Sequence, residues 1–378
     1  MRRRTFLRLS AGAITAGSAG AVAAVAAPPS SAQAGASPGD QAAALPGGRL
    51  GASLSSPDLI VAADGSGDFA SIQAAIDAAP AGNVVIGVRP GVYHGQVVIS
   101  RDKPGISLYG LGRRPRDVVI ADNRANGTPR PDGGTWGTTG SASVTIDGAD
   151  FRARNLTFAN LFDEAAHPEI TNRQAVAVLT RADRSEFRDV RFLGNQDTLY
   201  VNSADAATIA RAYFRDCYVE GDVDFIFGRA TAVFDRCRIH SLDRATTPAG
   251  YVTAPSTSIT NPHGLLFTRS RFTSDAPAGS VFLGRPWHPS NDPAAIGQTM
   301  IRDSYLGPHI GTPAWSDFGT WPWRDARFAE YRNYGPGAVT PGTTTDPDRP
   351  QLTRDEAAAN TPTTFLRGAD GWAPDLCK

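Results

Sequence analysis

One short frame recurs along the middle of this chain and limits what the chain can fold into. Six segments share it: Asn155-Leu156-Thr157-Phe158, Asp189-Val190-Arg191-Phe192, Asp216-Cys217-Tyr218-Val219, Arg236-Cys237-Arg238-Ile239, Arg269-Ser270-Arg271-Phe272 and Asp303-Ser304-Tyr305-Leu306. Phe187, Phe214, Phe234, Phe267 and Ile301 precede the last five at one fixed offset. The second and fourth positions are small or apolar, and the third is Thr, Arg or Tyr. Period-two alternation turns the second and fourth inward and the third outward. The irregular spacing fits stacked coils whose loops differ in length. The frame therefore predicts an all-β, single-domain parallel β-helix.

A second set of short apolar runs interleaves with the first: Gln174 to Val178, Thr198 to Val201, Asp224 to Phe227, Tyr251 to Thr253 and Val281 to Leu283. On a solenoid these stack into one sheet, with neighbours about 4.8 Å apart. Four polar blocks lie on or beside that sheet: Gln174, the pair Gln196-Asp197, Asp224, and Arg285 with Trp287. Two amides, two carboxylates, an Arg and a Trp then gather on one face.

Asp197 and Asp224 are the central pair. Two carboxyls on neighbouring coils do not both ionise easily, so one keeps its proton and the pair offers an acid and a nucleophile. Spacing alone fits two turn acids capping loops as well. Gln174 and Gln196 can donate to an oxyanion, or can be ordinary strand residues. Arg285 can pair with the ionised carboxylate. Trp287, and with it Tyr200 and Phe227, can offer a platform to a sugar ring or pack in the core. No Gly-x-Ser-x-Gly elbow, phosphate loop or His-Glu-x-x-His pattern occurs.

The ends are read differently. Arg3-Arg4-Thr5-Phe6-Leu7, a weakly apolar Ala/Gly run and Ala32-Gln33-Ala34 read as an export signal over residues 1–34, with paired arginines resembling the twin-arginine route. Residues 35–57 read as a linker and 58–378 as the β-helix domain. Without Arg2, Arg3, Arg4 and Arg8 the chain holds 33 basic against 37 acidic residues, no footprint for nucleic acid or for an anionic membrane. Phe69, Ile72, Ile76 and Ala79 follow helical spacing and predict a helix covering the N-terminal end of the solenoid. The loop from Asn123 to Gly140 is long enough to suggest function. Thr353 and Glu356 form a capping box before a short helix, and Phe365 and Trp372 should fold the tail back onto the solenoid. Cys217 and Cys237 hold the same frame position in consecutive coils, either as a disulfide or as two buried thiols; Cys377 is left over.

With these blocks in their order, the chain resembles the pectin methylesterase (pectinesterase) family from about Leu59 to Trp372, beginning at Val61-Ala62-Ala63-Asp64-Gly65-Ser66-Gly67. The resemblance implies a right-handed parallel β-helix acting on methyl-esterified galacturonan. It implies Asp224 as nucleophile, Asp197 as general acid and then base, and Gln196 with Gln174 at the oxyanion. Arg285 would hold Asp224 and Trp287 would line the sugar site. It implies no metal or cofactor, and a secreted protein, expected to be a monomer, with pectin as its partner. The chain departs from the family at Gly91-Val92-Tyr93-His94-Gly95, where a Glu is usual after the Tyr, and at Phe318, where a Trp is frequent. A lyase or galacturonase on the same fold, or a non-catalytic polysaccharide-binding homologue, are the alternative readings.

Overall fold

Among the described residues the named strands pair only in parallel, and they follow one another in coil order. The computed structural model describes residues 56–339 and 347–374. The expected export signal, nearly all of the linker and Cys377 lie outside them. One sheet runs from Leu59–Val61 to Arg327–Tyr331 through a path of ten strands, and a second, seven-stranded sheet runs from Val97–Ile99 to Val281–Gly284. The long strands Arg152–Asn160 and Ser185–Leu193 bend at a corner, so their second halves join a third face that begins at Gly91–His94 and Val118–Asp122. Tyr218–Gly221, Arg238–Ser241, Arg271–Ser274 and Tyr305–Leu306 continue that face. The chain is a parallel β-helix.

The frame explains the corner. Its first residues, Asn155, Asp189, Asp216, Arg236, Arg269 and Asp303, all lie in the left-handed region, with φ between 48° and 55°. That one conformation turns the strand from the first sheet onto the third face. Asn and Asp tolerate it best, and arginine accepts it here at a cost. The aromatic residues two places earlier form the core. Phe187, Phe214, Phe234 and Phe267 stack with centroids 4.7, 4.5 and 4.6 Å apart, the separation of neighbouring strands. Each ring is fully buried. The stack continues in register to Ile301 and then to Glu330.

Glu330 marks a seventh coil that the apolar frame does not announce. Its carboxylate is buried and takes a fork from Arg349, with Nε at 2.5 Å and Nη2 at 2.8 Å. Arg349 also donates to the carbonyls of Gly311 and Gly337, and Asn333 donates to Glu330. A buried pair is tolerable only when its remaining polar sites are satisfied in this way. At the other end the helix Ile72–Ala78, capped by Ser71, buries Ile72, Ala75 and Ile76 against the core.

Several expectations need adjustment. The strand expected from Gln174 is assigned only at Val178–Thr180, although Ala175 and Ala177 already donate to Gln196 and Thr198. Thr157, an outward position, is fully covered because its hydroxyl donates to the carbonyl of Pro115 on an overlying turn. Cys217 and Cys237 are free, buried thiols; parallel stacking holds Cβ atoms near 4.8 Å, beyond the ~3.8 Å of a typical disulfide. The helix Arg354–Ala359 has its Thr353 capping box. Phe365 packs with Tyr213, Val233, Leu266, Met300 and Leu366, and Trp372 joins them. Among the described residues no helix is long and apolar enough to cross a membrane.

Candidate active site

The polar blocks meet at the edge of the seven-stranded sheet. Leu199 pairs with Ile226 and Tyr200 with Phe227, and the amide of Asp197 donates to the carbonyl of Val223 at 3.0 Å. Asp197 and Asp224 thus face each other on consecutive coils. Both are left-handed, with φ of 66° and 52°, and the register slips between Val223 and Ile226. The local irregularity frees Asp224 from the strand's alternation, so its carboxylate leaves the core side that Phe225 and Ile226 occupy.

Arg285 grips Asp224 from two coils away. Its Nε donates to Oδ1 at 2.9 Å and its Nη2 to Oδ2 at 2.7 Å. Arg285 reaches this place because Gly284 carries no side chain: a Cβ there would sit 2.1 Å from the Thr253 hydroxyl. The guanidinium is then clamped between rings, 3.8 Å from Tyr251 and 4.5 Å from Phe318. Stacking fixes its plane and leaves the fork edge for the carboxylate.

Asp197 has a different environment. It is buried, and its carboxyl accepts no hydrogen bond among the described residues. Burial lifts its pKa well above the usual carboxylate range, the charge of Asp224 adds to this, and Arg285 opposes it. The pKa of Asp224 is also raised, because burial outweighs the fork from Arg285. Pairing with Arg285 therefore does not make Asp224 easier to ionise than a free aspartate. Asp224 nonetheless has two charged donors and Asp197 none, so the anion favours Asp224 and the proton favours Asp197.

Gln174 and Gln196 are half-buried, and neither side-chain amide is hydrogen-bonded within the described residues; the Gln174 Oε1 is buried and unpaired. The Asn123–Gly140 loop holds the first of them, with Asn126 donating to the Gln174 carbonyl, and ends in a turn of helix at Gly137–Gly140. Leu179, Tyr200, Phe227 and Ala254 form an apolar column on the outside of the sheet, and Trp287 sits half-buried against it. Tyr200 and Phe227 stack at 4.1 Å and meet Trp287 edge-on at 6.0 and 5.7 Å. With Phe227 only 2% exposed, Trp287 is the member with a face to offer.

Sequence reasoning missed the clamp on Arg285, since no spacing links Phe318, or Tyr251 at the head of its strand run, to that arginine. It also missed Asp222, which precedes the Asp224 strand. Asp222 is buried and 3.7 Å from Arg244. Burial pushes it up to about 6, Arg244 opposing and Glu164 adding.

The fold is a parallel β-helix that brings two buried carboxyls, an arginine and an indole together beside one sheet. The family described as Pectinesterase matches residues 58–369. Pectinesterase A of Dickeya dadantii is 39% identical over 344 residues, 82% of this chain and 88% of that protein. A pectinesterase of Ralstonia nicotianae is 37% identical over 74% of this chain and 79% of its own length. Among solved structures, a pectin methylesterase in complex with a hexasaccharide is similar with a TM-score of 0.75 and 36% identity, over 85% of this chain and 100% of that one. Pectin methylesterase PemA from Erwinia chrysanthemi follows at 0.74 and 36%, over 86% and 100%. The chain belongs to the pectinesterase family and is a carboxylic ester hydrolase.

Proposed function

We propose that this protein demethylates methyl-esterified homogalacturonan, releasing methanol and polygalacturonate, with Asp224 as nucleophile and Asp197 as general acid and base. The observation that carries the reading is the asymmetry of the two acids: one forked by a clamped arginine, the other buried without a donor. An Asp224 oxygen attacks the ester carbonyl carbon, and the carbonyl π-electrons move to its oxygen. The free amides of Gln196 and Gln174 donate to that oxyanion. Its collapse breaks the bond to methoxide, which takes the Asp197 proton and leaves as methanol. Asp197, now ionised, removes a proton from water, and the resulting hydroxide cleaves the acyl–Asp224 anhydride. The products are a galacturonate carboxylate and one proton released to solvent, with Asp224 regenerated as its anion and Asp197 reprotonated. Trp287 carries the pyranose ring, and the column beneath fixes its angle. Arg285 orients Asp224 and stabilises its charge when it departs. Secretion follows from the same reading, because the polymer lies outside the cell.

Base titration of purified protein on highly methylated pectin tests this. Steady proton release with equal methanol is the expected result. No release anywhere between about pH 5 and 9, where carboxyls of raised pKa should act, would overturn it.

A further inference from the structure

The third face carries a column that the ester chemistry does not use. Its outward side chains are in register: Arg191, Tyr218, Arg238, Arg271 and Tyr305, followed by Tyr334 through a further bridge. One side chain per coil over five steps gives a stripe about 24 Å long, parallel to the solenoid axis. The arginines lie over the rings: Arg191 at 5.3 Å and Arg238 at 5.7 Å from Tyr218, and Arg271 at 3.9 Å from Tyr305.

Neighbouring arginines behave differently. Arg236 is forked by Asp216 and Arg269 by Asp235. Among the described residues, Arg191, Arg238 and Arg271 have no carboxylate partner; the one polar contact is Arg238 to the Thr273 hydroxyl at 3.3 Å. Glu220, beside the column, accepts the Tyr218 hydroxyl proton at 2.6 Å. Arg238 and Arg271 are exposed, and Arg191 is half-buried. A guanidinium laid on a ring keeps its N–H edge free and preorganised for a carboxylate. Arginine and tyrosine interleaved at a fixed rise fit a ligand that is itself periodic, anionic and built of flat-faced rings.

We propose that this column binds de-esterified polygalacturonate, the anionic polymer the esterase would leave behind, on a face separate from the reacting acids. The inference rests on the proposed reaction for its choice of ligand. A uronate chain presents one carboxylate per pyranose along its axis and apolar sugar faces between, chemistry that suits the guanidinium edges and phenol rings spread along the column. The arginines are distributed along the stripe, so a long chain gains from all three together whereas a monomer engages one.

The test compares the wild-type protein with the triple variant Arg191→Gln, Arg238→Gln and Arg271→Gln, whose changes leave the inward stack untouched. Affinity for long de-esterified polygalacturonate is measured at low and high salt. Turnover is measured on a short methylated oligogalacturonate that engages the acids alone. The expected result is about tenfold weaker polymer binding at low salt, the gap closing as salt screens it, with turnover and circular dichroism unchanged. Equal polymer affinity in the two proteins would overturn the proposal. So would equally tight, arginine-dependent binding of dextran sulfate or DNA, which would mark a general polyanion surface. A wild-type protein without activity on the short ester would sink the esterase reading alone, and the binding comparison would still be readable.

Discussion

Asp216 and Asp224 are nearly the same object in two places. Both are left-handed, with φ of 54° and 52°. Both take an arginine fork: Arg236 on Asp216 at 2.9 and 2.5 Å, Arg285 on Asp224 at 2.9 and 2.7 Å. Their surroundings differ. The Asp216 side chain is 46% exposed and that of Asp224 is 9% exposed. A fork in water is worth about 0–1 kcal/mol and holds a corner. A fork closed off from water, with rings on the guanidinium and a second acid on the next coil, sets protonation states. The solenoid uses forked aspartates as a building habit, and burial plus Asp197 sets one of them apart as the proposed nucleophile.

The strongest way to break that contrast is to remove each carboxylate. Asp224→Ala should abolish methanol release, by on the order of 10⁴-fold or more, with the circular dichroism spectrum intact because the group faces away from the phenylalanine stack. Asp216→Ala should leave turnover unchanged. If the two variants lose activity alike, the nucleophile assignment fails. Asp197→Asn comes next. An amide neither protonates methanol nor activates water, so the rate should fall by about 10²- to 10⁴-fold while binding of methylated oligomers is kept. Wild-type turnover in this variant would move the proton to a water or another side chain.

The sequence was most informative where physics is periodic. Phe187, Phe214, Phe234 and Phe267 at one offset from a corner residue demand one stacking, and the stack is there. The polar blocks were legible because each lies on or beside a strand of the seven-stranded sheet, where stacking of coils makes residues distant in sequence neighbours. What escaped was aperiodic. Tyr251 and Phe318 reach Arg285 from a strand and a loop with no shared spacing. Glu330 broke the apolar pattern because a coil at the end of the solenoid meets Arg349 instead of another ring. The net upward shift at Asp224 was illegible for a related reason: desolvation depends on loops closing around the acid, and loop packing leaves no mark on spacing.

Arg285→Lys sharpens the same comparison more gently. Lysine keeps the charge but loses the fork and the stacked plane. Misorientation of Asp224 should cost up to about 10²-fold in kcat, with KM little changed. Arg236→Lys, at the exposed fork, should alter neither rate nor melting temperature measurably. If Arg285→Lys retains full kcat, charge alone suffices and the aromatic clamp is packing without mechanistic consequence.

The smallest expected effect concerns pH. The proposed mechanism needs Asp224 ionised and Asp197 protonated, so the acid limb of the profile should follow Asp224 and the alkaline limb Asp197. Burial raises both groups, and Asp197 is raised well above the ordinary carboxylate range, with the charges of Asp224 and then Asp222 adding. Asp222 itself is pushed up to about 6 by burial, with Arg244 opposing and Glu164 adding. It becomes negative only as pH rises through that value, so its influence falls on the alkaline side. Asp222→Asn removes a negative charge beside Asp197. The Asp197 anion then forms more easily, its pKa falls, and the alkaline limb moves to lower pH. The shift should be less than about one unit, because burial and Asp224 remain in place. The acid limb should stay where it is. A pH–rate profile of kcat/KM for wild type and variant decides the matter: an alkaline limb that does not move, or that moves upward, would show that Asp222 does not act on Asp197.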